Sequence, residues 1–268
     1  MTRPFPLADA AVIVTGGGSG IGRAAALEFA KRGSKVAVSD LSSERADAVA
    51  AEIEQLGAAA FGAKVDVGRE ADLTALRDET VRRFGRVDVV MNNVGVLAVG
   101  APEALPPEAW QRTLDINLLS IARSNRVFLP LLLAQGRGHI VNTASASGLL
   151  AYGYDRLPYV ASKHAVVGLS EALAIYLGPR GIGVTCLCPS GVMTNIVEQI
   201  TVYGEQSRAP RAPDHPIVTA EEVGELAAAA VEEGRFLVVT APAVHDELVG
   251  RATDIESYLQ ARIAEQVP

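Results

Sequence analysis

The chain has 268 residues, 49% hydrophobic and 21% charged, which suits a well-buried core within the size of one large domain. Its net charge of −7 and pI of about 5.2 exclude the basic footprint of a nucleic-acid binder and the polybasic patch of a membrane-surface protein. The N-terminus lacks the apolar core of a secretion signal, and the run Val127–Ala134, interrupted by Pro130, is too short for a membrane span. Two cysteines and four scattered histidines make neither a disulfide framework nor a metal constellation. A reducing cytoplasm is the expected home.

The first expected strand is Ala11–Thr15, and the chain then runs Thr15-Gly16-Gly17-Gly18-Ser19-Gly20-Ile21-Gly22 into an expected helix, Ile21–Arg32. Gly16 allows a sharp turn, Gly20 leaves room for a pyrophosphate against the helix N-terminus, and Gly22 permits close helix–strand packing. The strand context before and the helix context after make this a nucleotide-binding turn, with Gly18, Ser19 and Ile21 in it.

The second strand, Lys35–Asp40, ends on an acid 18 residues after Gly22. Asp40 can accept hydrogen bonds from the adenosine ribose and repel a 2′-phosphate. Leu41 follows it, with no arginine to hold that phosphate, and Ser42 and Ser43 already cap the next helix, Ser43–Leu56. NAD is therefore the expected cofactor ahead of NADP. A third strand, Ala60–Val65, brings Asp66 and Val67 to the adenine position before helix Glu70–Phe84. The fourth, Val87–Asn92, leads into Asn92-Asn93-Val94-Gly95. Open α/β sheets bind ligands at these carboxyl ends of strands, although asparagines there also serve as plain loop caps.

A long helix is expected from Pro107 towards Gln135, carrying Asn117, and a fifth strand, Gly138–Ala144, precedes Ser145. Ser145 can hydrogen-bond a reacting oxygen or simply permit the chain to turn. Helix Tyr159–Leu177 opens with Tyr159-Val-Ala-Ser-Lys163, a phenol and an ammonium one helical turn apart. At about 4 Å and an effective dielectric of about 20, their attraction is about 4 kcal/mol, or at most about 3 pKa units favouring the phenolate. Such a phenol approaches the working range of a general acid/base. Tyr152 and Tyr154 lack a lysine four residues on and read as pocket walls.

Strand Gly183–Cys188 places Cys186 and Cys188 on one face as packing residues. The Pro- and Arg-rich stretch Gly204–Pro216 reads as a loop, the core of a substrate lid over about 193–216. Helix Ala220–Glu233, strand Phe236–Thr240 and an amphipathic helix over about 243–264, striped by Val244, Leu248, Ala252, Ile255, Leu259 and Ile263, complete the chain. Seven strands alternating with helices give an α/β class: a doubly wound Rossmann fold with a seven-stranded, mostly parallel sheet and helices on both faces. No Gly-, Ser- or Pro-rich linker divides residues 1–268, so a single nucleotide-binding domain is expected.

Between about Ala10 and Thr194 the motifs TGGGSGIG, Asp40, the VDV around Asp66, NNVG at Asn92–Gly95, Asn117, Ser145 and YVASK together resemble the short-chain dehydrogenase/reductase family. The resemblance implies a single-domain Rossmann fold, NAD(P) binding and alcohol–carbonyl interconversion. It implies four site roles: Tyr159 as acid/base, Lys163 lowering its pKa and holding the nicotinamide ribose, Ser145 polarising the substrate, and Asn117 organising a water that leads to the lysine. Pro189, Val192 and Thr194 take the place of nicotinamide contacts, although serine stands at position 190 where the family has glycine. The 14-residue step from Ser145 to Tyr159 is longer than the family's, with the extra length in Gly148–Pro158. The family's usual Val-Asp-Gly-Gly ending is missing after Phe236–Thr240, so homodimer and homotetramer both stand as expected assemblies.

The expected substrate pocket, Leu97, Leu149, Tyr152, Tyr154, Met193, Ile196, Val197 and Tyr203 around Ser145, is mostly apolar. It shows no arginine or lysine clamp for a carboxylate or phosphate; Arg156, Arg208 and Arg211 sit in loops from which they could reach in. The expected small-molecule substrate is a hydrophobic or aromatic secondary alcohol or its ketone. Two rival readings are an NAD-assisted epimerase or dehydratase of the family and a non-catalytic nucleotide-binding scaffold.

Overall fold

The computed structural model describes residues 3–193, 200–204 and 215–264. In chain order the elements are β1 (Ala11–Thr15), α1 (Gly20–Lys31), β2 (Lys35–Asp40), α2 (Ser43–Gln55), β3 (Ala60–Lys64), α3 (Glu70–Phe84), β4 (Val89–Asn92) and β5 (Leu97–Val99). Then come α4 (Pro107–Leu114), α5 (Ser120–Gln135), β6 (Gly138–Thr143), α6 (Leu157–Leu177), β7 (Ile182–Cys188), β8 (Val192–Met193) and β9 (Ile200–Val202). β10 (Val218–Thr219), α7 (Ala220–Glu233), β11 (Leu237–Val239), α8 (Ala243–Thr253) and α9 (Ile255–Ala264) follow.

Seven strands form one sheet in the order β11-β7-β6-β4-β1-β2-β3, and every pair is parallel. The order reverses between β1 and β4, which opens a crevice beyond their carboxyl ends. β1 shows why the sheet is wound on both sides. Val12 and Val14 pack with Phe29 of α1 and Val223 and Val231 of α7 on one face. Ile13 packs with Leu73 and Leu76 of α3 and Val127 and Phe128 of α5 on the other. All five β1 residues are buried, so the strand reads as a continuous apolar run rather than an alternation. Each fully buried side chain of this kind stabilises by about 1.5–3 kcal/mol.

The seven expected strands and the main helices stand where the apolar runs placed them, with ends shifted by a residue or two. Three features differ. The helix expected from Pro107 to Gln135 is interrupted by a π-helical turn, Asp115–Leu119, centred on Asn117. Two small parallel pairs, β5 with β9 and β8 with β10, were not expected; strands of two or three residues leave no periodicity to read. The terminal helix is two helices, not one. Asp254 leaves the helical region (φ −147°, ψ 90°) and its carboxylate accepts from the Ser257 N–H at 3.0 Å, capping α9. Val244 is buried and Leu248 packs beneath it, whereas Ile255, Leu259 and Ile263 are exposed.

Among the described residues, α6 with the short turn after it is the one helix long and apolar enough to cross a membrane by length and composition. Its buried face sets Val166, Val167 and Leu177 in the core beside polar groups bonded to the sheet: Ser170 accepts from Asn142 Nδ2 at 3.0 Å, and Lys163 donates to the Thr143 carbonyl at 2.8 Å. It serves as a core helix, with Ile175 and Tyr176 exposed on its outer side.

Candidate active site

The turn after β1 is built by close approach. Gly16 and Gly20 take positive φ (62° and 51°), and a Cβ on Gly22 would overlap the Gly16 carbonyl oxygen. Ser19 stands at the N-cap of α1 without a side-chain capping bond, so the first N–H groups of the helix remain available to an anion at the crevice. Asn93 ties this turn to its neighbours. Its N–H donates to Thr15 Oγ1 at 3.1 Å, its Nδ2 to the Gly16 carbonyl at 3.4 Å, and its Oδ1 accepts from Thr143 Oγ1 at 3.3 Å. Asn92 points the other way, into a buried amide ladder through Asn142 to Ser170.

Asp40 lies at the far end of the crevice, its carboxylate only 8% exposed. It accepts from the Gly18 N–H at 3.2 Å, the Ser42 N–H at 3.0 Å and the Arg45 guanidinium at 3.1 and 3.3 Å. Arg45 is the arginine that the sequence reading did not find. Asp66 accepts from the Gly68 N–H at 2.8 Å, which fixes the turn after β3.

At the other end, α6 sets Tyr159 and Lys163 beside Ser145. Lys163 is buried, its Nζ 5.6 Å from the centre of the Tyr159 ring. Burial pushes its ammonium down to about 8 from an ordinary 10.5. The Tyr159 phenol is raised above its ordinary value, also by burial, with the Ser145 hydroxyl and the Arg156 charge pulling it back. The expected drop in the phenol's pKa from Lys163 is therefore corrected for the chain by itself: desolvation of the phenol is the larger effect at this separation. Ser145 Oγ accepts from the Ser147 N–H at 3.1 Å, which holds the hydroxyl at the start of the following turn. Asn117 bonds the backbone of Val96 in both directions, at 2.8 and 3.0 Å, and donates to Ser162 Oγ at 3.0 Å. It and Lys163 flank Gly95: a Cβ there would sit 3.5 Å from Lys163 Nζ and 3.6 Å from Asn117 Oδ1.

One cavity of about 570 Å³ joins the two ends. Of the expected cofactor residues, Gly16, Ser19, Gly20, Ile21, Asp40, Leu41, Asp66, Val67, Asn93, Gly95, Tyr159, Lys163, Pro189 and Val192 line it. Gly18 and Gly22 shape the turn from behind. Ser145, Leu97 and Tyr152 line the substrate end. Three expected pocket residues do not. Leu149 is buried in the core around Val166, Tyr154 is 44% exposed, and Tyr203 packs with Leu105 and Trp110. Thr194, Ile196, Val197, Arg208 and Arg211, and the side chain of Met193, lie outside the described residues, as does most of the expected lid.

The pocket also has walls that the sequence reading missed: Arg112, Ile116, Ser190 and His215, with Arg156 reaching in from the helix start. His215 Nε2 lies 3.0 Å from the Tyr152 hydroxyl and 3.4 Å from Glu247 of α8. Glu247 in turn accepts from Arg262 of α9 at 3.0 Å. The far wall is thus more polar than expected, and the two terminal helices are fastened to it. His215 carried no local signal, since a histidine among prolines has no periodicity to place it.

The residues present fit a dinucleotide: a crevice at the sheet's switch point, an uncapped helix N-terminus over a turn too tight for a Cβ at Gly22, and a buried carboxylate at the ribose end. The short chain dehydrogenase family model matches residues 10–202. Cyclohexanol dehydrogenase of Acinetobacter sp. (strain SE19) is 35% identical over 218 residues, covering 81% of this chain and 85% of that one. Levodione reductase of Leifsonia aquatica is 34% identical over 217 residues, covering 80% and 78%. The crystal structure of a short-chain dehydrogenase/reductase from Burkholderia phymatum in complex with NAD superposes with a TM-score of 0.84 at 31% identity, covering 94% of this chain and 96% of that one. The chain belongs to the short-chain dehydrogenase family.

Proposed function

We propose that this short-chain dehydrogenase is an NAD-dependent oxidoreductase interconverting a hydrophobic or aromatic secondary alcohol and its ketone, with Tyr159 as general acid/base. One observation carries the reading: Ser145, Tyr159 and Lys163 converge at one end of the cavity whose other end is the glycine turn and Asp40. The names of the relatives, a cyclohexanol dehydrogenase and a levodione reductase, support an alcohol or ketone as substrate. NAD is supported by Asp40, a buried carboxylate lining the end of the cavity where an adenosine ribose would lie, and by the NAD complex of the Burkholderia phymatum protein.

The nicotinamide ring, when bound, supplies the hydride acceptor or donor. The chain's task is to hold the carbinol carbon in place and move one proton. Ser145 orients the substrate oxygen, and Tyr159 takes the hydroxyl proton in oxidation or returns it in reduction. Burial keeps the phenol protonated in the chain alone, which suits proton donation to a ketone. In oxidation, the positive charge of an oxidised cofactor and the Lys163 ammonium both favour the phenolate against that burial. Asn117 acts as a positioning residue, fixing the Val96 backbone and Ser162 around Lys163. Leu97, Ile116 and the Tyr152 ring give the substrate an apolar seat. A cytoplasmic homo-oligomer fits the free thiols Cys186 and Cys188 and the exposed Ile175 and Tyr176 of α6.

The test is a panel of secondary alcohols with NAD, followed in the NADH absorbance band. Turnover of cyclic or aromatic carbinols is expected, with kcat/KM at least about tenfold better for NAD than for NADP. Turnover restricted to charged sugars or acyl carriers refutes the substrate class.

A further inference from the structure

The segment between Ser145 and Tyr159 holds Tyr152 in a setting that the reaction does not explain. The stem of the segment is buried: Leu149 and Leu150 pack in one core with Val166 of α6 and Val244 of α8. Beyond the stem, Tyr152 lines the substrate end of the cavity, and two side chains from later in the chain enclose its ring. His215 meets the ring edge-on, with centroids 5.3 Å apart and planes at 84°, and its Nε2 lies 3.0 Å from the hydroxyl. The Arg262 guanidinium of α9 lies over the ring, 5.2 Å from its centre. Glu247 of α8 joins the two: its Oε1 lies 3.4 Å from His215 Nε2, and its Oε2 accepts from Arg262 Nη2 at 3.0 Å.

α9 is docked through these contacts and little else. No residue of the helix is fully buried, and its apolar side chains Ile255, Leu259 and Ile263 are exposed. Within it only Tyr258 and Arg262 are half-buried, and they stand one turn apart on a single face. The Tyr258 hydroxyl reaches back to the Ala151 carbonyl at 3.4 Å, and Arg262 lies 5.5 Å from the Tyr258 ring centre. The sheltered face of α9 is thus the face that holds the Tyr152 segment, by a cation set between two aromatic rings and one charge-assisted bond. Tyr152 and His215 line the cavity, whereas Glu247 and Arg262 are absent from its lining. The Tyr152 ring therefore stands between Arg262 and the substrate space. A ring held in this way is a rigid apolar wall, which a cyclic or aromatic skeleton covers better than a short open chain.

We propose that the two terminal helices are part of the substrate site, with Arg262 and Glu247 as positioning residues that fix Tyr152 and His215 as a wall selecting cyclic or aromatic carbinols over small acyclic ones. This rests on the alcohol–ketone reading of the cavity. Neither positioning residue lines the cavity, so their loss leaves Ser145, Tyr159 and Lys163 in place.

Arg262→Ala, Arg262→Lys and Glu247→Gln, assayed with cyclohexanol and isopropanol and by hydrogen exchange over residues 149–156, test this. In Arg262→Ala the KM for cyclohexanol is expected to rise about tenfold, the scale of one desolvated cation–π or charge-assisted contact, with kcat and NAD affinity within about twofold of wild type. The KM for isopropanol, too small to cover the ring, should change by less than about twofold. Glu247→Gln, nearly isosteric, should act in the same direction, and Arg262→Lys, which keeps a cation, should recover most of the loss. Amide exchange over 149–156 should quicken about tenfold in Arg262→Ala while that of β1 is unchanged. An unchanged KM for cyclohexanol, or an equal rise for both alcohols, overturns the proposal. Absence of turnover with any secondary alcohol in the wild-type protein refutes the functional reading instead. Unchanged exchange over 149–156 overturns the proposal whatever the substrate.

Discussion

Replacing Lys163 by methionine should make the protein more stable at neutral pH while disabling it. Burial holds the ammonium at about 8 against 10.5 for an unhindered lysine, so below pH 8 the folded chain bears the full cost of a desolvated charge. About 2.5 units correspond to about 3 kcal/mol. Methionine keeps the length and apolar stem but forfeits the 2.8 Å bond to the Thr143 carbonyl, a loss of about 1–2 kcal/mol. The net expectation at pH 7 is a gain of about 1–2 kcal/mol. Between pH 8 and 10.5 the unfolded lysine still carries its proton and the folded one does not, so wild-type stability rises with pH across that window. Urea unfolding of both proteins from pH 7 to 10 measures this, read as the difference between them so that other titrating groups cancel. The methionine variant should lead at pH 7 and fall behind by pH 10. A difference that stays constant over the range, or a variant less stable at pH 7, refutes the reasoning.

Two further outcomes follow from buried contacts. His139 is wholly buried and held at about 3, well below an ordinary imidazole, by that burial alone. The Thr185 hydroxyl donates to the Arg235 carbonyl at 2.7 Å, so His139 Nε2 donates to Thr185, and Nδ1 has no partner among the described residues. Stability should drain as pH falls from 6.5 towards 3, by up to about 5 kcal/mol, since the unfolded histidine takes up the proton first. His139→Gln, which keeps a donor for Thr185, should shift the acid-unfolding midpoint down in a circular-dichroism titration. Gly22→Ala should push the glycine turn open against the Gly16 carbonyl and cost at least about tenfold in NAD affinity by calorimetry, since the backbone no longer fits the pyrophosphate.

The parts of the molecule legible in the sequence are those fixed by short-range pattern. β1 and β7 are apolar runs buried on both faces, and the glycine turn is confined to eight residues whose roles are steric. Tyr159 and Lys163 were placed by one helical turn. What escaped depends on where a side chain returns in three dimensions. Arg45 reaches Asp40 only because Ser42 starts α2 where it does, so scanning the residue after Asp40 could not find it. His215 meets Tyr152 across 63 positions. Tyr154, Leu149 and Tyr203 were assigned to the pocket because they lie near it in sequence, but loop direction turns them to solvent or core. The break at Asp254 was hidden because Ala252 and Ile255 keep the apolar stripe in phase across it.

The reading of Tyr159 as the group that moves the proton is tested most directly by Tyr159→Phe, which removes one oxygen and leaves the cavity's shape and the glycine turn in place. NAD affinity should stay within about threefold of wild type by calorimetry, while kcat in the NADH absorbance assay falls by about 10²–10⁴. Wild-type turnover in that variant would contradict the assignment.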